Sequence, residues 1–553
     1  MNTPDVPSLL PRPVHLQLGT GSVTLDAGSR ILAAAGTEPA AYLLREQLAG
    51  TGLALPVLPR STPMLAYAEP ATSVALTLDP ALGSEAFVLN AHDDQISIIG
   101  GDRAGLGYGG QALRQLLSPG VYRRAATRGG PWTLPSVSIA DRPRFRWRGV
   151  MLDVVRHFMP KHDLLRFVDL LAVHRFNRLQ LHLTDDQGWR VQIRRYPRLT
   201  EIGGWRTESQ LGSGPAAHGD GRPHGGYYTQ DDIREIVDYA AARGITVIPE
   251  VELPGHVQAA IAAYPELGVT GAQLPVWTRW GVNVNVLNAE DSTVQFFRNV
   301  LDEIIHLFPS EVIGIGGDEC PREQWRADPR TQQLMAERGL TTESQVQSWF
   351  LAEISEHLAT RGRRVLAWDE MLAGEVPADA TILGWRGSAG IGAATDRGLA
   401  VVSCPDHSAY LDYRQSDGPD EPIPVSMVLT LEDVYRFDPV APVLSPAQAA
   451  LIQGGQANIW AEHMDSARVV DFYAFPRLCA MAEVLWSDET RDLPAFMDRL
   501  RHHLRRLDAL GVEYRPLAGP LPWQRRPGVP GRPLTRQQRA DEVTQLVAEI
   551  GVG

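Results

Sequence analysis

The chain has 553 residues, 44% hydrophobic and 21% charged, which is too long for one ordinary domain and too apolar for a disordered one. No run reaches the ~18 apolar residues of a membrane-spanning helix. The formal charge of −13 disfavours nucleic acid and anionic membranes as partners and fits a neutral ligand. Three cysteines (Cys320, Cys404, Cys479) with no CxxC argue against a disulfide framework or a structural zinc site. Met1-Asn2-Thr3-Pro4-Asp5-Val6-Pro7 has no basic n-region and its prolines interrupt any apolar h-region. The expectation is cytoplasmic residence, with a secreted mature form left open.

Residues 1–142 read as a small α+β domain. Val74-Ala75-Leu76-Thr77-Leu78, Phe87-Val88-Leu89 and Gln95–Gly100 are apolar or alternating, and a helix is expected from near Tyr108. Gly105-Leu106-Gly107-Tyr108-Gly109-Gly110 matches the GxGxxG of dinucleotide sites. About 20 residues further on, where that fingerprint places an acid for the ribose, stands Arg123-Arg124-Ala125-Ala126-Thr127-Arg128 instead. The motif therefore reads as a Gly-rich turn, and no cofactor is expected.

From Pro143 strands alternate with helical segments, the signature of a parallel β/α architecture. Expected strands are Trp147–Asp153, Arg178–Leu183, Thr246–Val251, Val312–Gly317, Arg364–Trp368, Thr381–Trp385, Ala400–Cys404 and Gly454–Trp460. Between them, Leu164, Leu165, Val168, Leu171 and Ala172 share one helical face. Ile233, Ile236, Val237 and Ala240 share another, opened by a Thr229/Asp232 capping box, and Phe297, Val300, Leu301 and Ile304 share a third. Eight such units make a (β/α)8 TIM barrel over residues 143–515. Thr207–Gly226 and Ser416–Pro424 are loops long enough to face a substrate. The C-terminal extension, 516–553, is Pro/Arg-rich and then helical over Gln537–Ile550, expected on the barrel's outside or partly mobile.

Chemistry collects where the strands end. The ends carry Asp153 and Arg156; Asp185 and Asp186; Glu250, Glu252 and His256; Asp318 and Glu319; Trp368, Asp369 and Glu370; Trp385; Tyr410 and Asp412; and Trp460 and Glu462. Charge at buried strand ends is costly unless paired or used, so the ring reads as one site at the barrel's C-terminal mouth. Carboxylates and an Arg bond sugar hydroxyls, and Trp faces stack on pyranose C–H faces. With no HExxH or tight ligand spacing, no metal is expected. The expected ligand is a carbohydrate.

The runs Asp141-Arg142-Pro143-Arg144-Phe145-Arg146-Trp147-Arg148-Gly149, His182-Leu183-Thr184-Asp185-Asp186-Gln187-Gly188-Trp189, Ile315-Gly316-Gly317-Asp318-Glu319 and Gln456-Ala457-Asn458-Ile459-Trp460-Ala461-Glu462 resemble glycoside hydrolase family 20. The resemblance runs to about Leu517 and leaves the tail unexplained. It implies a β-N-acetylhexosaminidase that releases terminal N-acetylglucosamine or N-acetylgalactosamine from a glycan or chitooligosaccharide, with the substrate's own acetamide as nucleophile. On that resemblance Glu319 is the general acid/base and Asp318 holds the acetamido N–H. Tyr410 bonds the acetamido oxygen, and Trp368, Trp385 and Trp460 wall the sugar. Arg156 and Glu462 bind O3/O4, Asp412 binds the O4/O6 side, and Asp185 and His256 support Glu319 by raising its pKa or relaying its proton. The chain departs from the family at Gly314 and Gln180, where His is frequent, and at Glu252, where Asp is usual. Two other readings stay open: a retaining glycosidase with Glu250 or Asp369 as nucleophile, and a sugar-binding barrel without catalysis. Monomer and homodimer both stay open.

Overall fold

The structure is a computed structural model that describes residues 7–60, 72–127, 131–488 and 490–548. The N-terminal unit is a seven-stranded mixed sheet. Its strand order is His15–Leu25, Trp132–Asp141, Phe87–His92, Gln95–Gly100, Ser73–Leu78, Arg30–Ala33 and Val57–Pro59. Helices Glu38–Gln47 and Arg103–Leu116 pack on it and on each other.

The glycine motif lies inside the second of these helices, not in a turn, and the helix begins five residues earlier than expected. Asp102 caps it, its carboxylate accepting from the Gly105 N–H at 2.9 Å. Gly105 and Gly109 are there for close packing. A Cβ on Gly105 would stand 2.2 Å from the Ala86 carbonyl oxygen, and one on Gly109 would stand 2.5 Å from the Ile98 side chain.

All eight expected barrel strands form, as Trp147–Asp153, Arg178–His182, Thr246–Glu250, Val312–Gly314, Arg364–Trp368, Thr381–Gly384, Ala400–Ser403 and Ile452–Ile459. They close into one parallel barrel. The fourth stops at Gly314, short of the expected Gly317, because Gly316 and Gly317 take φ of +61° and +88°, which extended backbone does not allow. The three expected helical faces are buried on helices Lys161–Val173, Gln230–Ala241 and Asp291–Leu307, with Leu165 only partly covered and the Thr229/Asp232 capping box formed. Register sets Asp153 opposite His182, His182 opposite Glu250, and Glu250 opposite Gly314. Side chains from separate strands thus share one level at the C-terminal mouth.

Buried charge fastens the sheet to the barrel's underside. Arg148 donates to Glu85 at 2.7 and 3.0 Å, and Arg175 pairs with Asp141 at 2.6 Å. The three cysteines are unpaired, and among the described residues no helix is long and apolar enough to cross a membrane.

The tail does not lie on the barrel's outside. Its short strand Arg532–Pro533 pairs in parallel with Val425–Ser426, and its helix Arg536–Ala548 runs over the mouth. Glu549 and Ile550, the last two residues of the expected helix, lie outside the described residues.

Gly105→Ala should lower the stability of the N-terminal unit by about 1–3 kcal/mol through overpacking. Thermal unfolding followed by circular dichroism checks this; an unchanged midpoint would contradict the packing role.

Candidate active site

The site is built from the strand ends upward. Asp185 follows the second strand, fully buried, and gathers three cationic neighbours. Arg156 Nη2 lies 2.8 Å away, His182 Nε2 2.8 Å and His256 Nδ1 3.2 Å. Burial disfavours the Asp185 charge, but Arg156 and His256 outweigh it and hold the carboxyl well below its usual range. Arg156 also reaches Asp153 at 3.2 Å and Gln187 at 3.0 Å, and its guanidinium lies 5.0 Å from the Trp460 ring centroid.

His256 links this charge to the Asp318–Glu319 pair. Its Nδ1 faces Asp185 and Asp186, and its Nε2 lies 3.5 Å from Glu319 and 3.9 Å from Asp318. Burial opposes the imidazolium, yet the carboxylates on both sides raise its pKa well above the usual value. His182 is likewise held between Asp185 and Glu250, at 2.8 Å from each. Carboxylate oxygens face both nitrogens of both rings, at 2.8 Å from each His182 nitrogen, 3.2 Å from His256 Nδ1 and 3.5 Å from His256 Nε2. His and acid atoms converge here within 4.8 Å, and two histidines and a thiol do so in the remote buried trio His174, Cys479 and His503. In that trio His174 already engages Leu170 O at 2.7 Å and His503 at 2.9 Å.

The two acids of the pair differ in environment. Burial, opposed by His256 and reinforced by the charge on Glu319, pushes the Asp318 carboxyl up to about 6. Glu319, whose side chain is 34% exposed, goes the other way. Burial would raise it, but the hydrogen bond and charge of His256 hold it below its usual range. His256 therefore does not raise the pKa of Glu319 in the resting site, contrary to one half of the expectation; its contact suits proton relay. Asp318 Oδ1 is buried with no hydrogen-bond partner among the described residues, as is Asp412 Oδ1. Buried acceptors left open in this way call for donors from a ligand.

These groups line one cavity of about 230 Å3. That is below the ~300–1,000 Å3 that drug-sized ligands fill, and is the scale of one sugar ring. Arg156, Asp185, His256, Asp318, Glu319, Trp385, Tyr410, Asp412, Trp460 and Glu462 all border it. Trp368 does not. It is fully buried, its ring 5.8 Å from Trp460, with Nε1 unpartnered among the described residues. Trp385 stacks near Tyr410 at 6.1 Å and donates from Nε1 to Glu370 at 3.0 Å. The loop Thr207–Gly226 folds into two small hairpins and brings Ser213 to the cavity.

Neither rival nucleophile borders the cavity. Glu250 is bound to His182, and Asp369 pairs with Arg386 at 2.8 Å.

The departures have local causes. Gly314 lies beside Glu250, whose Cβ would be 2.9 Å from any Cβ added there, so His does not fit. Gln180 accepts from Gln456 at 2.9 Å inside the barrel. Glu252 extends beneath the Gly-Gly turn, where a Cβ on Gly316 would stand 1.6 Å from its Oε2. Neither of its oxygens has a hydrogen-bond partner among the described residues, and Oε1 lies 3.6 Å from His182 Nδ1. Burial and the charges of Asp318 and Glu250 push its pKa well above the usual carboxyl range.

The sequence profile for "Glycosyl hydrolase family 20, catalytic domain" matches residues 145–489, and that for domain 2 of the same family matches residues 6–142. The chain belongs to glycoside hydrolase family 20. It is similar to a "Beta-hexosaminidase" of Porphyromonas gingivalis, 37% identical over 92% of this chain, of which it spans 64%. A "Beta-hexosaminidase" of Vibrio furnissii is 35% identical over 86% of this chain and 76% of its own. Among solved structures, an exo β-N-acetylglucosaminidase of Vibrio harveyi in complex with N-acetylglucosamine superposes with a TM-score of 0.81. It is 33% identical, over 92% of this chain and 78% of its own.

Sequence reasoning missed His182 as a bridge, Glu370 as the Trp385 partner, and the tail residues Arg532, Leu534, Arg539 and Glu542 that border the cavity. His182 stands inside the quoted HLTDD run, so its signal was present. The tail offered none beyond its arginines.

Arg156→Met would leave Asp185 and Asp153 buried with one cation fewer, at an expected cost of about 3–5 kcal/mol. Chemical denaturation measures this; a variant as stable as the parent would contradict the assigned charge balance.

Proposed function

We propose that this chain is an exo-acting β-N-acetylhexosaminidase that removes a terminal non-reducing β-linked N-acetylglucosamine or N-acetylgalactosamine with retention, using the sugar's acetamide as nucleophile. The observation that carries the reading is the open Oδ1 of buried Asp318 beside Glu319. An acetamido N–H is a donor of the right kind for it.

In this scheme Asp318 accepts the acetamido N–H and Tyr410 donates its hydroxyl to the acetamido oxygen. That oxygen attacks C1 as the C1–O bond to the leaving group breaks, and Glu319 gives its proton to the departing oxygen. The resulting oxazolinium is opened by water at C1, and the Glu319 carboxylate takes the water's proton. Two inversions make retention. Arg156 and Glu462 hold O3/O4, Asp412 offers its open oxygen to the O4/O6 side, and Trp460 and Trp385 exclude water, with Trp368 behind Trp460. The buried Asp185–His256 chain holds Glu319 and relays charge to it.

In the resting site Asp318 is the acid held up and Glu319 the acid held down, the reverse of what this chemistry asks. Substrate corrects it. The sugar covers the exposed part of Glu319 and raises its pKa, while the acetamido N–H stabilises the Asp318 anion.

The test compares an aryl N-acetyl-β-glucosaminide with the plain β-glucoside. The N-acetyl sugar is expected to have the higher kcat/KM by at least ~10³-fold, because only it carries an internal nucleophile. Comparable rates would end the substrate-assisted reading, and a 2-fluoro sugar that labels a carboxylate would replace it.

pH dependence follows from the pair. The free site is competent while it keeps one proton, and that proton is held up to about 6, on Asp318. kcat/KM should therefore be retained below that value and fall as pH rises through it. A profile level from pH 5 to 9 would contradict the shared proton.

A further inference from the structure

Both family profiles end before the tail, at residues 142 and 489. The tail nevertheless returns to the site. Its course is pinned on two sides of the mouth. Ser213 N–H, from the loop after the second barrel strand, donates to Pro530 O at 2.9 Å. Arg414, from the loop after the seventh, donates to Leu534 O at 2.9 Å. Glycines permit both approaches. A Cβ on Gly212 would stand 2.5 Å from Pro530 O, and one on Gly531 would stand 2.4 Å from Pro424 O. Further along, Arg536 pairs with Asp433 at 2.7 Å, and Arg386 donates to Leu546 O at 3.1 Å.

Between these fixings four tail side chains border the cavity that holds Asp318 and Glu319: Arg532, Leu534, Arg539 and Glu542. Arg532 also borders the neighbouring cavity with Asp412, Trp460 and Glu462. Leu546 borders the groove on the far side of Glu319. The segment thus crosses the mouth from one pole to the other.

Arg539 has a particular place in it. Its Nε lies 2.6 Å from Asp406 Oδ2, which also accepts the Tyr413 hydroxyl at 3.0 Å. Asp406 is buried and opens the turn that carries Tyr410 and Asp412. Removing Arg539 would leave a buried carboxylate short of its cation beneath the two residues that meet the sugar.

We infer that the C-terminal segment Gly531–Leu546 is a fixed wall of the substrate pocket, in which Arg539 positions the Tyr410–Asp412 turn through Asp406 and Arg532 and Glu542 face the sugar. This rests on the hexosaminidase reading for its substrate. Arg539→Ala is expected to lower kcat/KM for an aryl N-acetyl-β-glucosaminide at least tenfold, with the conservative Arg539→Lys recovering most of it. Asp406→Asn should lose a similar factor, and the double variant should be no worse than Arg539→Ala alone. A kcat/KM for Arg539→Ala within twofold of the parent overturns the positioning role, whatever its melting temperature. The second measurement needs no turnover. Trypsin cleavage after Arg536 and Arg539 of the full chain should slow severalfold with saturating N-acetylglucosamine, and an unchanged rate overturns the wall. A parent chain that leaves the aryl substrate intact yet shows this protection would sink the hexosaminidase reading and keep the wall.

Discussion

One buried carboxylate organises this molecule's working end. Asp185 has no exposed surface to speak of, and an isolated ion there would lose several kcal/mol of hydration. It is tolerated because Arg156, His182 and His256 converge on it from three different strand ends. At an effective dielectric of about 20, each contact near 2.8 Å attracts by roughly 6 kcal/mol, enough to offset that loss only when several act together. The convergence fixes the positions of the three cations. Those in turn fix everything they touch: Trp460 under the Arg156 guanidinium, Glu250 against His182, and the Asp318–Glu319 pair beyond His256.

The same constraint explains the backbone around the pair. To bring both acids to His256, the chain must turn sharply after the fourth strand. Gly316 and Gly317 take positive φ to do so, and Glu319 itself holds φ of +43°. Strain of this kind is held only where neighbours over-determine it. Here Glu252 fills the space under Gly316, so the turn and the acid beneath it fit only as a unit. The electrostatic asymmetry of the pair follows from position along this chain of charges. Glu319 lies nearer the imidazolium than Asp318, and it is the more stabilised anion.

The barrel supplies the floor and the long loops supply the sides. The mouth is narrowed further by a segment that the family's sequence profiles do not include, pinned mainly by hydrogen bonds to its backbone and by ion pairs. A wall made in this way is specific in position and costs little hydrophobic surface. It is compatible with the charged, Pro-rich composition that made the tail look like a loose end.

How much was legible depends on whether the cause was local. The eight barrel strands, the helical faces and the Thr229/Asp232 cap were readable because periodicity and capping act within a few residues. His15–Leu25 and Trp132–Asp141, the two longest strands of the N-terminal sheet, are not singled out by pattern, since glycines in the first, a proline in the second and polar residues in both blur the alternation. The glycine motif misled because its packing demand lies in Ala86, just before one strand, and Ile98, on another. By itself the sequence determined the barrel, its family and the ring of charged and aromatic side chains at the strand ends, because those depend on spacing along the chain. Only the tertiary structure decided which carboxyl of the pair is held up and which down, that Glu250 and Asp369 are locked to a histidine and an arginine away from the cavity, and that the tail borders the cavity. Each of these is a balance of burial and charge among groups that are far apart in sequence, and such a balance exists only once the chain has brought them together.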